Sequence, residues 1–200
     1  LQENMPNIHE NPEILNFLHN YTDLGYGSYI LFMLIGTALT ILIQSSSATM
    51  ALTLVMCANG WIGFDIAASM VLGENIGTTI TANLAAMVAN TTAKRAAFAH
   101  FLFNLFGVAW VLAIFPFFLG WVAQLSIYLG IGDPFTSVGS VPVALSLFHT
   151  CFNVANVLIL IWFTKVIAKL VTHIIKSKES ADDAFTLKHI KIGLLSTPDA

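Results

Sequence analysis

Residues 24–64 form a run of 41 consecutive positions without one charged side chain. Further uncharged runs cover residues 75–93, 96–132 and 134–164. A helix crossing the hydrocarbon core of a bilayer needs about 20 mainly apolar residues, so each run can hold membrane-embedded chain. Composition agrees: 56% of the 200 residues are hydrophobic and 10% charged, against about 25% charged in soluble domains. This balance argues against a disordered tail, a basic nucleic-acid-binding module and a small disulfide scaffold. The fold class predicted is an all-α membrane protein in the lipid bilayer.

Residues 1–25, with Pro6, Pro12 and scattered acids and amides, read as an extracytoplasmic lead-in with a short helix around residues 14–19. The first apolar block is divided by Gln44, Ser45, Ser46 and Ser47 into potential helices over 28–43 and 48–58. At 1.5 Å per residue they reach about 24 and about 17 Å, short of a core of about 30 Å. A re-entrant helical hairpin fits these lengths better than two spans, although two short spans keep the same parity. Its polar tip needs burial in protein or a cavity to line.

Residues 64–89 can cross, but Gly73, Glu74, Asn75, Ile76 and Gly77 weaken helical propensity in the middle. A broken transmembrane helix is therefore predicted, with halves near 66–72 and 78–88 and Lys94 and Arg95 in the loop after it. Two further spans follow: 96–118, with Pro116 near its end, and 143–174. Residues 120–140 read as a loop with an interfacial helix carrying Trp121 and Tyr128. Lys94, Arg95, Lys165, Lys169, Lys176 and Lys178 mark the cytoplasmic side. Leu1 at the start and LLSTPDA at the end lead us to expect a segment of a longer protein, targeted by its spans rather than by a signal peptide.

Two polar clusters carry chemistry. The first, QSSSAT at residues 44–49, offers hydroxyls and an amide that donate and accept, beside a helix N-terminus whose free N–H groups favour an anion. Small polar residues also glue membrane helices together, but four in succession exceed that need. The second is GENIGTT at residues 73–79, followed by Thr81 and Asn83. Glu74 argues against a mere kink, because an ionisable group at that depth costs about 2.5 kcal/mol or more. No basic residue lies nearby to neutralise an anion, so cations must accompany it. Hydroxyls, amides and carbonyls are hard oxygen ligands suited to an alkali ion, whereas transition-metal clusters are absent. The pattern points to ion-coupled anion uptake.

Lesser signals are weighed as structure first. His100 with Asn104 (HFLFN) and His149 with Asn153 (HTCFN) each share a helix face at i, i+4 and read as cross-links between helices rather than direct ligands. Gly36 and Gly107 read as close-packing positions, and Cys57 and Cys151 as buried hydrophobes. An intramembrane serine hydrolase using one of Ser45–Ser47 with a histidine is disfavoured, since GxSxG is absent. A membrane anion sensor signalling through a cytosolic domain is a further alternative.

Taken in order, ILIQSSSATMAL, LGENIGTTITANLAA and AKRAAFAHFLFN resemble the type II sodium-phosphate cotransporter family in its bacterial branch. The likeness covers roughly residues 30–174 and is nearer the second of that family's two inverted, QSSS-containing repeats. It implies one inverted-repeat half of a sodium-coupled phosphate symporter in the bacterial plasma membrane, not an enzyme. Its partners would be inorganic phosphate, sodium and the other QSSS repeat of a parent chain, and a homodimer is compatible with it. Residues 26–175 would be the transmembrane repeat, and 176–200 a cytoplasmic linker towards a PhoU-like domain. Carried over by position, Gln44, Ser45, Ser46, Ser47, Thr49, Thr78 and Thr79 bind substrate. Gln44, Ser45, Asn75, Thr78 and Thr81 would hold the co-transported sodium, joined by Glu74 on the chemistry of its own carboxylate rather than by the resemblance. Many relatives carry a small residue in place of Glu74, which leaves sodium stoichiometry and proton coupling open.

Overall fold

The computed structural model describes residues 12–176, and every regular element among them is helical. Helix α1 spans Pro12–Tyr21, covering the short helix expected in the lead-in. The lead-in before it and the linker from residue 177 onward lie outside the described residues.

Helices α2 (Tyr26–Ile43) and α3 (Ser46–Ala58) form the predicted hairpin, each two residues longer than expected. The reversal between them uses the polar cluster itself. Gln44 closes α2 in the left-handed conformation (φ 56°), its N–H donating to the Thr40 carbonyl at 2.8 Å. Ser45 is extended and caps α3, its Oγ accepting from the Ala48 N–H at 3.3 Å.

The expected break does not occur: α4 runs unbroken over Phe64–Ala86. Its glycines serve tertiary packing instead. Helices α2 and α4 lie parallel in direct contact. A Cβ on Gly73 would run into the Met33 carbonyl, and one on Gly36 into the Met70 carbonyl. A Cβ on Gly77 would sit 2.7 Å from Thr40 Cβ. Thr37 ties the approach together, its hydroxyl donating to the Gly73 carbonyl at 3.0 Å. The polar residues around the glycines also support the helix. Asn75 Nδ2 donates to the Val71 carbonyl (2.9 Å) and Thr78 Oγ1 to the Glu74 carbonyl (2.8 Å), one turn back in each case. Local satisfaction of this kind lets polar side chains sit inside an embedded helix. Residues 66–74 of α4 are all buried, making it the central element.

The remaining helices wrap α4. Helix α5 (Thr91–Ala113) starts earlier than the expected span, so Lys94 and Arg95 lie in its first turn and not in a loop. Asn90 is the reason, its Oδ1 accepting from the Ala93 N–H at 2.9 Å. Pro116 opens α6 (Phe115–Tyr128), where a first-turn proline loses no hydrogen bond; the helix expected to carry Trp121 and Tyr128 is present and starts earlier, within the residues assigned to the preceding span. The last apolar segment divides into α7 (Val141–Leu160), a 3-10 turn (Ile161–Phe163) and α8 (Thr164–Ile174). Phe115 and Phe118 of α6 interlock with Phe148 of α7 at centroid separations of 6.1 and 5.6 Å, and Phe148 stacks on Phe152 of its own helix at 6.4 Å. Gly107 faces the Asn156 side chain, as its close-packing role requires, and Cys57 is buried in the core.

Among the described residues three segments can cross a membrane by length and composition: α2, α5 and residues Val138–Ile174. The expected set placed α4 among the three and left α2 out. Arg95 Nε donates to the Ile175 carbonyl at 2.9 Å, so the two basic clusters share one end of the bundle. Phe64 at the start of α4 meets Phe135 edge to face (5.4 Å) at the other end.

Candidate functional site

Four helices converge on one polar cavity of about 590 Å³. Helix α3 contributes Ser46, Ser47 and Met50, and α4 contributes Glu74, Asn75 and Thr78. The far wall comes from α5 (His100, Phe103, Asn104) and α7 (His149, Asn153). The serine cluster and the GENIGTT stretch, separated in sequence, thus face the same space. Ser46 and Ser47 are the first two residues of α3, so their backbone N–H groups precede its first intrahelical bond, from Thr49 N to the Ser45 carbonyl (3.1 Å). Together with the positive end of the α3 dipole they favour negative charge at the tip.

Glu74 is 3% exposed. Thr53 on α3 donates to its Oε1 at 2.9 Å, tying the second arm of the hairpin to the central helix. Among the described residues no lysine or arginine lines the cavity. Lys94 lines a separate apolar groove, and Arg95 is engaged with the backbone of Ile175. The cavity therefore offers hydroxyls, amides, imidazoles and one carboxylate, a donor set suited to a hard cation and to an oxyanion that arrives with it.

The other expected site residues sit around the cavity without lining it. Gln44 is exposed at the end of α2, and Ser45 is occupied as the α3 cap. Thr49 is buried, donating to the Ser45 carbonyl (3.0 Å), and Thr79 is buried, donating to the Ile76 carbonyl (2.7 Å). Thr81 is half-buried and donates to the Thr78 carbonyl (2.9 Å).

The His and Asn pairs are not the cross-links the spacing suggested. Asn104 and Asn153 donate to the carbonyls of His100 (3.1 Å) and His149 (2.8 Å) on their own helices, leaving the side chains on the cavity wall. The helix cross-links are made instead by Asn156, which no motif singled out, and by Asn83, expected only as part of the polar stretch after GENIGTT. Asn156 on α7 donates to the Phe103 carbonyl (3.3 Å) and accepts from Trp110 Nε1 (3.3 Å). Asn83 on α4 donates to the Ala97 carbonyl (2.8 Å). Their signal was a polar residue in an otherwise apolar helix. Ser46 and Ser47 share the cavity with two histidines, but among the described residues no hydrogen bond joins a serine hydroxyl to an imidazole.

The Na+/Pi-cotransporter family profile matches residues 13–195, nearly the whole chain. The chain belongs to this family. It is 37% identical over 146 residues to "Uncharacterized protein YqeW" of Bacillus subtilis, covering 73% of this chain and 44% of that protein. It is 31% identical over 172 residues to "Putative inorganic phosphate export protein YjbB" of Salmonella typhimurium, covering 86% of this chain and 30% of that protein. Human "Sodium-dependent phosphate transport protein 2C" is 40% identical over 89 residues, 42% of this chain and 15% of its own length. The chain spans less than half the length of these curated relatives. No solved structure matches this Na+/Pi-cotransporter family chain.

Proposed function

We propose that this chain is one half of a sodium-coupled inorganic phosphate symporter of the plasma membrane and supplies one wall of its binding site. The single observation that carries the reading is the convergence of Ser46, Ser47, Glu74, Asn75 and Thr78 on one polar cavity inside an apolar helical bundle. The serine hydroxyls and the N-terminal amides of α3 bind the anion. Asn75 and Thr78 supply oxygen to sodium, and the charge of Glu74 favours the cation. Gln44, Ser45, Thr49, Thr79 and Thr81 act from just outside, by fixing the hairpin tip and the pitch of α4. The missing positive charge explains the coupling: phosphate alone is too costly to desolvate, and sodium compensates it.

The α2–α3 hairpin is re-entrant in this reading. Thr40, four residues before the turn at Gln44, packs against Gly77, nine residues before α4 ends. The second QSSS repeat completes the site from the open side. Direction is set by the gradients, because a coupled symporter runs either way, and this accommodates relatives named for transport and for export. The test is uptake of labelled phosphate by proteoliposomes of the full-length protein. Accumulation driven by an inward sodium gradient, and lost when potassium or choline replaces sodium, is the expected result. Equal accumulation in all three salts would overturn the coupling.

A further inference from the structure

We infer that Glu74 is the residue that selects phosphate against sulfate, by accepting a hydrogen bond from the P–O–H group of the bound anion; this rests on the proposed symport reading. The argument is one of elimination within the cavity. Ser46, Ser47, Asn75 and the histidines can each donate, and a donor serves the oxygens of sulfate as well as those of phosphate. An ionised carboxylate can only accept. Among the described residues lining the cavity Glu74 is the one carboxylate, and in its ionised form the one side chain that accepts without donating.

Its geometry leaves it available. Oε1 is taken by the Thr53 hydroxyl at 2.9 Å. Oε2 receives no hydrogen bond from the described residues, yet the one sealed-in side-chain polar atom lacking a partner is Trp61 Nε1. The free oxygen therefore opens to the cavity. At neutral pH phosphate keeps at least one proton whether it binds as the monoanion or the dianion, and arsenate does the same. Sulfate is fully deprotonated and presents only lone pairs. A buried carboxylate welcomes the first two and repels the third, since a polar group left facing a like partner loses its hydrogen bond and adds repulsion.

The experiment uses the full-length protein in proteoliposomes with sodium present. Labelled phosphate uptake is challenged with unlabelled arsenate and sulfate, for the wild type, Glu74→Gln and Glu74→Asp. Equilibrium binding of labelled sulfate to the purified proteins covers any variant that no longer transports. In the wild type arsenate competes and sulfate does not. Glu74→Gln, whose amide can donate, should strengthen sulfate binding at least about tenfold relative to phosphate, while Glu74→Asp keeps the exclusion. Sulfate rejection unchanged in Glu74→Gln, or a shift only in the sodium needed for half-maximal uptake, overturns the inference and leaves symport standing. A wild type that takes up no phosphate with sodium overturns both.

Discussion

At the scale of single residues, burial decides which polar groups can meet a substrate. Ser46 and Thr78 line the cavity, whereas Thr79, one position along, is fully buried with its hydroxyl on the Ile76 carbonyl. Ser46→Ala and Thr78→Val should each weaken sodium-dependent phosphate binding about tenfold, the first by the loss of a hydrogen bond to the anion and the second by the loss of an oxygen ligand to sodium. Thr79→Val, nearly isosteric and facing its own helix, should leave affinity within about twofold and act on stability by about 1 kcal/mol. Isothermal titration and thermal unfolding of the three variants separate the two effects, and equal loss of affinity in all three would contradict the assignment. The serines and Glu74 were legible in sequence because polar residues are rare in such apolar surroundings. Which member of each cluster faces the cavity was not, since that depends on helix rotation against neighbours.

At the scale of elements, the same glycines supported two readings. Gly73 and Gly77 lower local helix propensity, which reads as a break. They are also four residues apart on one face, which reads as a close helix contact. The second prevails because Gly36 on α2 matches them and because a membrane helix keeps its backbone bonds wherever it can. The partner helix is invisible in a local window, so propensity alone gave the wrong result here. Pro116 was misplaced for a related reason: only the ends of α5 and α6 tell whether a proline closes one helix or opens the next. Gly73→Val should separate α2 from α4 and cost about 1–3 kcal/mol, as overpacking does. Half-buried Gly120 on α6, with nothing near its missing Cβ, should accept alanine without loss. Thermal melting of the two detergent-solubilised variants checks the contrast, and equal melting points would contradict the packing account.

At the scale of the whole molecule, the basic residues and the Asp133 loop lie at opposite ends of the bundle. In the proposed topology the Lys176 end is cytoplasmic and the Asp133 loop external. Replacing Cys57 and Cys151 by alanine and placing a single cysteine at either position gives a direct readout. An impermeant thiol reagent added to intact cells should label position 133 and not 176, and the reverse pattern would invert the topology. The helical class and the polar centre followed from the charge-free runs. The grouping of α3, α4, α5 and α7 around one cavity did not, because it depends on packing between helices distant in sequence. The central claim, that serine hydroxyls and the Glu74–Thr78 turn hold phosphate only together with sodium, is tested most directly by equilibrium binding of labelled phosphate to the purified full-length protein. Saturable binding in sodium, absent in potassium and lost in a Ser46→Ala, Asn75→Ala double variant, is the result expected. Binding of equal strength in potassium, or untouched by that double substitution, would contradict it.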